Sequence, residues 1–205
     1  MTPEQICAIH ECGHVVVCYS VGGRIRTGPD SLSIVPKPEE FQSGNSRLEA
    51  PWDKKAISDF AGGLAERIAN PDQAVTTIAK DIGDILTSCG MFLDQIEGDP
   101  FVDAENAYYN DRLRKKSGQP PQEKEAWEAY DNMIQFLVNG SPEPGRNDEF
   151  ELLSGFAEQS RAYLQRHWSI VEELADRLVK KKVMSGEEVH QILTTQYGFV
   201  CEPLP

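Results

Sequence analysis

Apolar residues in this chain recur mostly at helical spacing. Near the start, Ile6, Ile9, Gly13, Val16 and Val17 fall at three- and four-residue steps, the period of one helix face. Thr2-Pro3-Glu4-Gln5 place a threonine at the N-cap, a proline at the first helical position and a glutamine at N3, so a capping box opens the helix. Gly22-Gly23 supply its stop, and a helix over 3–21 is predicted. Ala56, Ile57, Phe60, Ala61, Leu64, Ala65 and Ile68 form a second periodic run that ends at Asn70-Pro71-Asp72. Gly62 and Gly63 lie inside it, where a glycine costs about 1 kcal/mol relative to alanine, so close packing against another helix is the expected compensation.

A third helical face follows in Ile82, Ile85, Leu86, Cys89, Leu93 and Ile96. A helix from about Phe150 to Lys182 and another from Ser185, with a capping box at Ser185-x-x-Glu188, to about Gln196 predict a C-terminal helix bundle. Strand spacing is confined to Ser31-Leu32-Ser33-Ile34-Val35, and Pro36, which cannot donate to a ladder, marks it as an edge strand near 31–36. Residues 97–150 mix proline, glycine and charge around one helical stretch at 123–137 and read as a variable insertion. The expected fold is mainly α, a single domain over 1–205 with no internal repeat.

Charge narrows the partners. Twenty Lys+Arg stand against 33 Asp+Glu, a net charge of -13, so no basic stripe is available for a phosphate backbone and no nucleic acid is expected. The longest apolar run, Val15 to Tyr19, is far too short to cross a bilayer, which predicts no membrane span and a cytoplasmic chain. Cys7, Cys12, Cys18, Cys89 and Cys201 are odd in number and form no C-x-x-C pair; they read as reduced, semi-buried thiols.

The chemistry concentrates in His10-Glu11-Cys12-Gly13-His14, an H-E-x-x-H on the first helix. Spacing i, i+4 puts both imidazoles on one face a turn apart, within reach of one metal ion, with Glu11 beside them as general base. Chance produces this pattern in under about one per cent of chains of this composition. A catalytic zinc site needs a third protein ligand. His167 and His190 sit in the C-terminal helices and read as helix-surface residues, which leaves a carboxylate. Asp81 lies about 80° from the centre of the third helix's apolar face and Asp84 about 140°, favouring Asp81. Glu66, on a helix expected to abut the first, is a candidate to accept the second N–H of a ligand histidine, with a surface ion pair to Arg67 as the alternative.

Five pieces in this order are similar to the peptidase domain of FtsH-type zinc metalloproteases: residues 8–17 around the motif, 32–37, Phe60-Ala61-Gly62-Gly63-Leu64-Ala65-Glu66, Val75-Thr76-Thr77 leading to Asp81-Ile82, and the closing helices over 167–178 and 183–189. About two thirds of the chain is covered. The resemblance implies a mostly helical hydrolase whose Zn2+ is held by His10, His14 and an aspartate, Asp81 or Asp84, with Glu11 catalytic. It implies a peptide or unfolded-protein substrate, to which the strand near Ile34 would add. The chain departs from the family in having no G-x-x-x-x-G-K-[ST] loop, so a separate ATPase or other partner protein would have to deliver folded substrates. It also carries Cys12 where the family has a small alanine, read here as space-filling. The alternative to a metalloprotease is a catalytically inactive metal-binding interaction module derived from a peptidase domain.

Overall fold

The computed structural model describes residues 1–36, 44–71, 81–82, 84–85, 100–119, 124, 128–129, 132–134 and 147–201. It is mainly helical. Helix α1, Pro3–Ser20, begins with the capping box expected of it: Gln5 N–H donates to the Thr2 hydroxyl, and Thr2 N–H donates to Gln5 Oε1 at 2.8 Å. It ends where Gly22 adopts a positive φ of 84°. Every residue of α1 from Ile6 to Tyr19 is buried. A helix covered on all sides is the core itself rather than a layer over it.

Around α1 pack α2 (Trp52–Asp59), α3 (Ala61–Ala69), α5 (Asn147–Arg166) and α6 (Trp168–Lys181). Helix α4, Pro100–Lys116, lies in the segment read as an insertion, where only a later helical stretch was expected. Of that stretch, 124, 128–129 and 132–134 are helical. Helix α7, Gly186–Gln191, is capped by Ser185, whose hydroxyl accepts from Glu188 N–H, and runs into a π-helical turn over Ile192–Gln196. Beyond Asp81, Ile82, Asp84 and Ile85, all helical, the predicted third helix lies outside the described residues.

Two expected continuous helices are divided. The run through Ile57 and Leu64 breaks at Phe60 between α2 and α3, and the C-terminal run breaks at His167, whose φ of -115° and ψ of 21° are not helical. Apolar period carries through both sites because the halves bury the same side, so the pattern alone does not mark the breaks.

The strand near Ile34 is a correction. Among the described residues, five two-residue strands, β1 (Arg24–Ile25), β2 (Leu32–Ser33), β3 (Asn45–Ser46), β4 (Leu48–Glu49) and β5 (Val183–Met184), form two small sheets ordered β1-β4 and β3-β2-β5. Strand β2 is therefore central, with Leu32 opposite both Ser46 and Met184. Ile34 N–H donates to the Lys182 carbonyl, and among the described residues Leu32 and Ser33 are paired on both sides and offer no free edge to a substrate. Pro36 does not forbid this because it lies beyond the short ladder.

Candidate metal centre

Two of the site's side chains come from the interior of α1. Gly13, between the histidines, lets α3 approach: a Cβ there would stand 2.7 Å from Ala65 Cβ and 3.0 Å from the Ala61 carbonyl oxygen. On α3, Gly62 faces the imidazoles, and a Cβ at that position would lie 2.3 Å from His14 Nε2 and 2.7 Å from His10 Cε1. Gly13 thus makes room for a close helix crossing, and Gly62, in the second periodic run, for the ligand rings themselves.

Each imidazole is oriented by its Nδ1. His10 Nδ1–H donates to Glu66 Oε1 at 2.7 Å, and Glu66 is fully buried on α3. His14 Nδ1–H donates to the Ser58 carbonyl at 2.7 Å, in the last turn of α2, where carbonyls lack intrahelical partners. With Nδ1 protonated on both rings, both Nε2 atoms face inward, 3.1 Å apart, as the positions that either a proton or a metal ion can occupy. Asp81 completes the group, with Oδ2 at 3.1 Å from His10 Nε2 and 3.5 Å from His14 Nε2. This oxygen is buried and meets no hydrogen-bond donor in bonding geometry.

Three acceptor atoms converging in a buried site call for a positive charge among them. A tetrahedral ion bonded to each at about 2.0–2.1 Å requires ligand separations of about 3.3 Å, and the three edges bracket that value. His10, His14 and Asp81 could therefore hold a metal ion, and among the described residues no fourth His, Cys, Asp or Glu belongs to the group. Of the two candidate aspartates the fold brings Asp81 to the histidines; Asp84, one turn on, is not part of the group. The Glu66 carboxylate meets His10, while Arg67 donates to the Pro71 carbonyl at 3.0 Å. Replacing Glu66 with glutamine keeps the shape and removes the charge behind His10; zinc affinity is expected to fall about 10–100-fold in competition with a chromophoric chelator. Unchanged affinity would remove Glu66 from the site's chemistry.

The charges follow the same logic. Burial disfavours a charged His10, but the Asp81 and Glu66 carboxylates outweigh it and hold its pKa well above the ordinary value. Burial opposes charge on His14 too, and Asp81 again reverses the sign. Burial alone would raise Asp81, yet the two imidazoles hold it well below the carboxylate range. In metal-free protein, stability from the raised His10 is complete below the unfolded value of about 6.5 and lost as pH rises through the folded one; stability from Asp81 is present above about 3.9 and lost as pH falls through its depressed value. Metal-free protein should melt highest between about pH 4 and 6.5. A metal competes with the same protons, so the gain in melting temperature on adding zinc should widen between about pH 5.5 and pH 8. A gap that narrows over that range would contradict this charge arrangement.

Glu11 is buried beside the ligands. Its neighbour Cys12 is fully buried, with its thiol pKa raised by burial, and fills core space away from the group. Cys7 and Cys18 are also buried free thiols and Cys201 is partly buried, while Cys89 lies outside the described residues. His167 meets Phe199 edge-on with ring centroids 5.1 Å apart, and exposed His190 lies 3.1 Å from the Tyr19 hydroxyl through Nδ1, so neither joins the site.

Three contributors carry no motif. The Ser58 carbonyl is backbone and has no side-chain signal. Asp59, buried next to it, is gripped by Lys55 Nζ at 2.8 and 2.9 Å, with its pKa raised by burial against that lysine. Gly44 approaches Glu11 from a distant loop. Among the described residues no helix is long and apolar enough to cross a membrane. No protein-family model matches the chain, and no curated protein matches it.

Proposed function

We propose that this chain is a zinc-dependent metallopeptidase, akin to FtsH-type peptidase domains, that hydrolyses peptide bonds in unfolded chains or short peptides. The observation that carries this reading is the convergence of His10 Nε2, His14 Nε2 and the undonated Asp81 Oδ2 beside a buried Glu11 on the same helix. When bound, zinc supplies Lewis acidity and lowers the pKa of its water. Glu11 takes the proton from the attacking water and returns it to the leaving amine. Glu66 and the Ser58 carbonyl lock the tautomers that aim both Nε2 atoms inward, so no ring reorientation is needed during turnover.

A purely structural zinc site is closed by four protein ligands and has no use for a base. The group, three-membered among the described residues, and the retained Glu11 therefore favour the enzyme over the inactive binding module. Elemental analysis together with a casein assay tests the reading. One zinc per chain and hydrolysis lost to chelation and restored by zinc are expected; a fully metallated protein that leaves casein and short peptides intact would overturn it.

A further inference from the structure

Gly44 stands over Glu11. A Cβ at position 44 would lie 2.7 Å from Glu11 Oε1, 2.8 Å from Glu11 Cγ and 2.8 Å from Cys7 Sγ, closer than real Cβ atoms approach such neighbours. This contact is what calls for glycine at the position. The segment that follows is held along its length. Asn45 and Ser46 pair with Ser33 and Leu32, Arg47 N–H donates to the Ser31 carbonyl at 2.9 Å, and Leu48 and Glu49 pair with Ile25 and Arg24. Strand β2 is itself fixed on its other side by β5.

We infer that Gly44 is a positioning residue for Glu11: the missing side chain leaves the volume the carboxylate occupies, and the paired strand β3 sets where that carboxylate stands. The outcome depends on which partner yields when the space is filled. Strand β3 and the Cys7 thiol, rooted in the buried helix α1, resist displacement, whereas the Glu11 carboxylate is the free end of a flexible side chain. A methyl group at 44 therefore moves the carboxylate before it moves the fold. The metal group lies against Gly62 instead, so its ligands are not touched.

For its kinetic consequence this inference rests on the peptidase reading. In Gly44→Ala, kcat is expected to fall about 10–100-fold, the cost of misplacing a reacting group by about 1 Å, with KM and zinc affinity within about twofold of the original. A residue that merely supported the fold would move melting temperature and zinc affinity together and would not separate kcat from KM. The crystal structure of the variant decides the matter independently of activity. A carboxylate displaced by about 1 Å over an unmoved strand supports the inference; a carboxylate in place over a shifted strand, a variant that no longer folds, or unchanged kcat overturns it. Should the original protein hydrolyse nothing, the peptidase reading falls, while the position of Glu11 in that structure still answers this question.

Discussion

Glu11→Gln is expected to bind one zinc per chain with unchanged affinity and to hydrolyse peptides about 10³-fold more slowly than the original. The atoms that could hold the ion come from His10, His14 and Asp81, none of which the substitution alters. Glutamine keeps the length and most of the shape of the buried side chain but cannot accept a proton at neutral pH, and general-base catalysis contributes about 10²–10⁴-fold. Steady-state kinetics on a fluorogenic peptide, paired with elemental analysis, gives both readouts. Turnover close to that of the original would remove Glu11 from the mechanism, whereas loss of zinc would mean that its carboxylate supports the ligands and the kinetics says nothing of a base.

The second large effect concerns the aspartates. Asp81→Asn is expected to weaken zinc binding by at least about 10³-fold, beyond the 10–100-fold of losing an outer hydrogen bond. Asp84→Asn should leave the stoichiometry at one. An asparagine at 81 also offers an amide N–H to the two Nε2 lone pairs, filling with its own hydrogens the space between acceptors 3.1 and 3.5 Å from Oδ2. The metal-free variant should therefore stay folded while losing its dependence on added zinc. Isothermal titration of both variants distinguishes them. If Asp84→Asn proved the weaker binder, the ligand set proposed here would be wrong.

What could be read in the chain before its fold was the part encoded by short spacing. An i, i+4 histidine pair on a capped apolar helix needs only 3.6-residue periodicity, and the angle of Asp81 on its own helix separated it from Asp84 by the same arithmetic. Glu66 was legible for a related reason: Gly62 and Gly63 signalled a close crossing, and Glu66 follows one turn later on the same helix. Features that depend on remote partners were not. The central place of β2 rests on pairing between Leu32 and Met184, far apart in sequence, and two-residue strands leave almost no alternation to detect. The Ser58 carbonyl and the approach of Gly44 to Glu11 are backbone events, visible only once α2 and β3 are in place. The breaks at Phe60 and His167 escaped because apolar period measures which side is covered, not whether the axis continues.

Helix α1 has no outward face between Ile6 and Tyr19, and this governs how the ligands can ever come apart. A segment enclosed on every flank belongs to the last part of a domain to open, so its amides are expected to be among the slowest to exchange with solvent. The backbone that carries both imidazoles is thereby tied to the opening of the core, so His10 and His14 are presented from a helix that does not fray beneath them.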